Sequence, residues 1–472
     1  MLLLSPRLTI VGLVAFLGLA STTRADVVLQ WNALMRQTFA AEGSTATPPG
    51  NSRTMGMLGG AVFDAVNSIT RTHSSYLGYF DPVTAGVDID VSAAAAAAAH
   101  AVLQSIYVDI YGPNNAFAAN FSALYEGQMN SIADGGAKTR GIEVGLAAAQ
   151  AMIAARATDG WDAVSTYEPM PLGTPGRWQP GDSSGAWGAG VGSFLKPQWA
   201  EMTPFGLTSA HQFRPNGPNG FNPTNYTAWI RSPAYTADFQ QVQALGSVNS
   251  MSRTTDQTNI AYFWVDGPGS ASPPGHWNRI AATISVEQGL TLEQNARLFG
   301  LLGLAQADTG IATWEAKIYY DSWRPMFAIQ TANMDGNPAT ILDSSWIPLI
   351  PTPSFGAYTS GHSAFSMTGA TILGNFFGTD TIAFSSSAES PFLPSGYERS
   401  FSGFREAALE AGMSRIYGGI HFMSDNIDGA ILGENVANHT FNNFLLPVPE
   451  PGSAMMVGLA IVGALLRRRR KA

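Results

Sequence analysis

Residues 412–433, GMSRIYGGIHFMSDNIDGAILG, decide how this chain is read. Arg415 is followed six residues later by His421, and His421 four later by Asp425. The apolar run beyond them reads as a buried helix. An Asp four residues past a His can hydrogen-bond one ring nitrogen and so fix the tautomer that leaves the other nitrogen free as a ligand.

Two further stretches are expected to meet this one. Residues 314–325, WEAKIYYDSWRP, carry Lys317 and Arg324 seven residues apart, close to two helical turns. That spacing predicts both cations on one helical face, where they repel each other unless an anion sits between them. Residues 351–365, PTPSFGAYTSGHSAF, place Ser360, Gly361 and His362 where a helix is predicted to open. A helix N-terminus offers free N–H groups and a positive dipole end. Each stretch alone has an ordinary reading: surface cations, a Ser N-cap, a structural His. Three together, in a chain with only seven His, point to a site. Two Arg, one Lys, two His, a hydroxyl and a Gly amide suit a tetra-oxo anion better than a bare cation.

The rest of the chain is consistent with a large helical body. It has 472 residues, 45% hydrophobic and 12% charged, about half the usual charged share of roughly 25%. The net charge of −9 argues against nucleic acid as a partner. The absence of Cys removes disulfides, thiolate metal sites and Cys nucleophiles. Helical spacing of apolar residues predicts helices over 27–41, 53–69, 91–111, 114–132, 139–158, 236–247, 254–264, 277–289, 291–320, 363–377, 400–414 and 423–444. Pro325 is read as the stop of the helix over 291–320. Residues 165–223, rich in Gly, Pro and Trp (Trp178, Trp187, Trp199), read as a long ordered loop in which short strands would be unsurprising. No internal segment is read as apolar enough to span a bilayer, which takes ~20 residues. The predicted fold is all-α, two packed helical bundles with the site at the mouth of one.

The ends read as addresses. Residues 1–25 combine Arg7, an apolar run over 8–20 and Thr23-Arg24-Ala25, a signal peptide. At the other end stand Pro449-Glu450-Pro451, an apolar run over 454–466 and four Arg before Lys471. This tail resembles the PEP-CTERM sorting signal of Gram-negative bacteria, which implies exosortase-type processing, transient retention in the inner membrane, and export to the envelope or beyond. The expected organisation is 1–25 signal peptide, 26–446 helical domain with the motifs in 300–446, and 447–472 sorting tail.

The combined set, Lys-x6-Arg-Pro, Ser-Gly-His and Ser-Arg-x5-His-x3-Asp, resembles the vanadium-dependent haloperoxidase and type 2 phosphatidic acid phosphatase superfamily. It is carried by Lys317, Arg324, Pro325, Ser360, Gly361, His362, Ser414, Arg415, His421 and Asp425. Trp314 and Phe355 are similar to the soluble chloroperoxidase branch; algal bromoperoxidases carry His where Phe355 stands. Thr359 departs from the Pro of many members. The resemblance implies a vanadate cofactor, with His421 as its metal ligand and Lys317, Arg324, Arg415, Ser360 and the Gly361 amide holding its oxygens. It implies His362 as acid/base, Lys317 as a polarising group, Asp425 behind His421, and Trp314 and Phe355 in the substrate pocket. Hydrogen peroxide and halide are then the substrates, hypohalous acid the product, and a small organic acceptor and a homo-oligomer are compatible with it. The same residues also suit a soluble, exported acid phosphatase with a phosphohistidine on His421. An inert surface or matrix protein is a third reading, which the intact motif set disfavours.

Overall fold

The computed structural model describes residues 26–80, 87–171, 173–180 and 193–448. The predicted signal peptide, the Pro-Glu-Pro tail and Trp187 lie outside these residues. Fourteen α-helices are found among the described residues, and they form two bundles that share one long helix.

The first bundle contains α1 (Val27–Glu42), α2 (Pro48–Thr70), α3 (Val91–Tyr111), α4 (Ala116–Ser131) and α5 (Gly136–Arg156). After the loop come α6 (Tyr226–Ile230), α7 (Pro233–Gly246), α8 (Thr255–Phe263) and α9 (Ser272–Glu287). The shared helix is α10 (Leu292–Tyr320), packed on α2 on one side and on α12 (Gly361–Phe377) and α14 (Met423–Asn443) on the other. The short α11 (Pro325–Gln330) and α13 (Phe404–Tyr417) complete the second bundle.

Local chemistry sets these boundaries. A reciprocal capping box opens α10: the Thr291 hydroxyl accepts from the Gln294 amide N–H, and the Gln294 side chain accepts from the Thr291 N–H. Asp90 caps α3 by accepting from the Ala93 N–H at 2.8 Å. Helix α10 is buried nearly all round, so its polar residues must find partners inside. Gln306 donates to the Phe365 carbonyl of α12, and Thr309 bonds Thr368. Asp308 accepts the N–H groups of Phe205, Gly206 and Leu207, tying the long loop to the pillar.

Three expectations need correction. Helix α10 ends at Tyr320, five residues before Pro325, because Asp321 turns left-handed at φ 45°. Pro325 instead occupies the first turn of α11, where its missing N–H costs nothing. Residues 400–401, expected to begin a helix, belong instead to strand β2 (Glu398–Phe401), antiparallel to β1 (Phe384–Ser387) with Phe384 opposite Phe401. Both Phe side chains are buried, and that pairing outweighs helical propensity until Phe404. The segment over 91–111 is long and apolar enough to cross a membrane, contrary to expectation, but as α3 it packs against α2 and α5 with most of its surface buried.

The long loop is ordered where it is described. It holds two short 3-10 turns (Pro197–Glu201 and Pro218–Gly220) and no strand among its described residues. Trp178 and Trp199 are buried. Its backbone is stitched to the segment behind α10: the Trp178 N–H donates to the Asp321 carbonyl, and the Trp323 N–H to that of Gly176. The Tyr167 hydroxyl donates to the Asp321 carboxylate at 2.7 Å.

Helices α12 and α14 approach so closely that a Cβ on Gly429 would lie 2.6 Å from the Ser360 carbonyl oxygen. One on Gly433 would lie 2.1 Å from that of Ala364. Because a backbone atom cannot yield as a side chain can, Gly433→Ala should force the two helices apart. The expected cost is about 1–3 kcal/mol, read as a lowered urea midpoint at unchanged slope.

Candidate active site

The three stretches meet at one end of the second bundle. Lys317 comes from the last turn of α10, and Arg324 from the extended residue before α11. They do not share a helical face, as the spacing had predicted. The chain reverses at Asp321 and brings the guanidinium back beside the ammonium. Ser360 caps α12, Gly361 and His362 are its first residues, Arg415 lies in the last turn of α13, and His421 stands two residues before α14.

His421 has both ring nitrogens engaged. Nδ1 lies 2.9 Å from Asp425 Oδ2, and Nε2 lies 2.9 Å from the Arg324 guanidinium. Arg can only donate, so Nε2 accepts and the ring proton sits on Nδ1. Asp425 is the third residue of α14 and also accepts the Phe422 N–H at 3.0 Å, while its carbonyl takes the Ser360 N–H. One residue thus sets the His421 tautomer, caps its own helix and ties α14 to the start of α12.

The cations are buried: Lys317 and Arg324 are 0% exposed and Arg415 is 1% exposed. Main-chain oxygens stand in for water around them. The Lys317 ammonium donates to the carbonyls of Gly356, Ala357 and Thr359. Arg324 donates to those of Phe355 and Ile420. Arg415 donates to the Trp264 carbonyl at 2.6 Å and to the Ser414 hydroxyl at 2.9 Å. The Phe355 ring covers both Lys317 and Arg324, with its centroid 5.1 Å from Nζ and 4.9 Å from Cζ.

Burial and mutual repulsion shift every titrating group here. Burial, then Arg324, push the Lys317 ammonium well below its usual value. Burial lowers Arg415 to about 9. His421 is driven well down by burial and then by Arg324 and Lys317. His362 is driven well down by burial and then by Arg415, against the pull of Asp266. Burial lifts Asp425 to about 7, opposed by the Phe422 N–H, Lys317 and Arg324. Both imidazoles are therefore held neutral in the free protein.

A cavity of about 230 Å³ opens over the cluster. Gly361, His362, Arg415 and His421 line its floor, with Trp314, Phe355 and Phe365 as walls. Lys317, Arg324 and Ser360 lie beneath that floor and are not part of its lining. The Ser360 hydroxyl accepts from the Ser363 N–H and hydroxyl, an N-cap arrangement. Trp314 and Phe355 pack with ring centroids 5.0 Å apart, and the Trp314 indole donates to the Leu195 carbonyl of the long loop. His362 Nε2 is buried without a hydrogen-bond partner. An orphaned acceptor beside three buried cations fits a protonated, multiply charged oxyanion.

Sequence reasoning missed the loop over 264–268. It supplies the Trp264 carbonyl to Arg415, and Val265, Gly267 and Pro268 to the cavity wall. Asp266, left-handed at φ 40°, is anchored by His276 Nδ1 at 3.0 Å, and His276 Nε2 bonds the Ser386 hydroxyl. The His in Pro-Pro-Gly-His was the only available signal, and by itself it specifies no partner.

Residues 297–447 match the family model described as the VCPO second helical-bundle domain, and residues 447–471 match the PEP-CTERM protein-sorting motif. The vanadium chloroperoxidase of Curvularia inaequalis is 27% identical over 401 residues, covering 72% of this chain. The chain spans 64% of that relative's length. The structure described as the first bacterial vanadium-dependent iodoperoxidase superposes with a TM-score of 0.74 at 21% identity, over 91% of this chain and 99% of its own. A holo-type bacterial vanadium-dependent chloroperoxidase gives 0.66 at 17% identity, over 87% and 94%. These two likenesses establish the fold.

Proton linkage tests the geometry. An anion seated here raises the pKa of His362, which is depressed in the free protein. Between the free and bound values, binding takes up a proton and weakens as pH rises. Calorimetric titration with molybdate at about pH 6 and about pH 8, in buffers of differing ionisation enthalpy, should show uptake of up to about one proton. His362→Ala should lower that uptake, the remainder reporting the His421–Asp425 pair. Affinity independent of pH would contradict this account.

Proposed function

With residues 297–447 forming a helical bundle of the vanadium chloroperoxidase type, we propose that the protein is a vanadate-dependent haloperoxidase, oxidising halide with hydrogen peroxide to hypohalous acid. The observation that carries the reading is His421: its Nε2 lone pair, set by Asp425, faces Arg324 on the floor of a cavity shared with His362 and Arg415. A tetra-oxo anion has its ligand, its counter-charges and an acid/base group within that one cluster.

In this reading His421 Nε2 would be the ligand to vanadium once the Arg324 N–H that donates to it in the free protein turns to the anion's oxygens. Lys317, Arg324 and Arg415 hold the oxygens, with the Ser360 hydroxyl and the Gly361 amide. Vanadate bound there supplies a Lewis acid that activates peroxide without changing its own oxidation state. The chain's residues do the rest. Asp425 keeps the proton on His421 Nδ1. His362 moves protons at Nε2: its neutral form takes one from incoming peroxide, and its protonated form gives one to the departing water. Lys317 turns one N–H from its carbonyl partners toward the oxyanion. Phe355 and Trp314 keep bulk water away, so that the charges act in a low dielectric.

The match of residues 447–471 to the sorting motif supports export from a Gram-negative cell with exosortase-type processing of the tail. Hypohalous acid made outside the cytoplasm spares the cell's own thiols and amines.

The decisive assay pairs two chemistries. Purified protein given vanadate, peroxide and bromide should brominate a phenol-type dye. His421→Ala should abolish this, and His362→Ala should lower it by about 10²–10⁴-fold. Hydrolysis of p-nitrophenyl phosphate by the wild type, with vanadate acting only as an inhibitor, would replace this function with a phosphatase working through a phosphohistidine on His421.

A further inference from the structure

The cavity is larger and more apolar than an oxyanion and a halide require. At about 230 Å³ it exceeds the roughly 150 Å³ in which a buried apolar cavity holds benzene. Above the floor, its lining includes six prolines: Pro48 and Pro273 from the first turns of α2 and α9, Pro268, Pro391, and Pro351 with Pro353 from one segment. Proline has no N–H, so this mouth presents few donors to a polar or anionic guest. Ile350, Ile420 and Phe392 add hydrocarbon. Phe392 is 49% exposed at the rim and stacks on Tyr262, with ring centroids 4.9 Å apart and planes 22° apart. The Phe392 ring thus leaves an aromatic face open to solvent at the entrance of the apolar funnel.

We propose that the mouth binds the organic acceptor, a small uncharged arene, and that halogen is transferred to it there rather than to whatever hypohalous acid meets in solution. The inference rests on the haloperoxidase reading and adds to it a substrate class and a place. The balance is arene C–H + halide + hydrogen peroxide + H⁺ → arene C–halogen + two water. Peroxide loses its O–O bond and takes two electrons from halide. The carbon–halogen bond forms as the ring C–H bond breaks and releases its proton. The cationic floor holds the oxidising end of the reaction, and the proline walls hold the ring above it.

The test is a competition. Phenol and 4-hydroxybenzenesulfonate are supplied together with peroxide, bromide and vanadate-loaded protein, and the ratio of brominated products is compared with that from reagent hypobromous acid. The enzyme should favour phenol by about tenfold beyond the reagent ratio, the scale on which apolar pockets discriminate. Phe392→Asp, at an exposed rim position, should return the ratio to the reagent value while bromide-dependent peroxide consumption stays unchanged. Calorimetry without peroxide should show phenol binding to the wild type and its loss in Phe392→Asp. A wild-type ratio equal to the reagent ratio, with peroxide consumption intact, overturns the proposal and leaves the haloperoxidase reading standing. No bromide-dependent consumption by the wild type sinks that reading, and the phenol titration then decides separately whether the mouth takes an arene.

Discussion

Buried positive charge is the constraint around which this molecule is built. Removing an ion from water costs several kcal/mol even after the protein relaxes. Three such ions, Lys317, Arg324 and Arg415, lie within one cluster. Peptide carbonyls from the turns at the bundle mouth, at 264, 355–357, 359 and 420, do much of the compensating. The dependence runs both ways. Those turns leave carbonyls pointing inward, which only donors such as these can satisfy. Site and scaffold are therefore one hydrogen-bonded unit.

Helix α10 makes this possible by being buried on all sides. It serves both bundles, and its last turn delivers Lys317 to the cluster while Gln306 and Thr309 hold α12 in place. The long loop then works as a brace rather than a lid. Its segment over 176–178 bonds the reversal at 321–323, and Leu195 bonds both Ser354 and the Trp314 indole. The walls of the cavity are thus fixed from behind by a segment that contributes little to the cavity itself.

Much of this was legible in the letters. Helices over 91–111 and 291–320 were readable from apolar spacing, and the clustering of His362, Arg415, His421 and Asp425 from their scarcity. The Lys317–Arg324 pair shows a sound expectation reached by an unsound route. Helical periodicity placed them together, whereas a left-handed Asp321 does so in the structure. Nothing local announces that reversal, because Asp321 is held there by Tyr167 and Arg177, more than a hundred residues earlier. The hairpin at 384–401 was hidden for the same reason: strand pairing is a property of two segments, and either one alone looked neutral or helical. The Asp266–His276 anchor gave no periodic signal at all.

The order of assembly along the chain has its own meaning. Arg415 lies in α13, His421 in the turn that follows it and Asp425 in α14, and the Ser360 N–H waits for the Asp425 carbonyl to close the start of α12. A ribosome must therefore finish almost the entire helical body before the cluster can be complete. A nascent product that ends before α14 has His421 without the Asp425 carboxylate that fixes its tautomer, and a start of α12 without the Asp425 carbonyl. Topology thus withholds the finished cluster until α14 has docked.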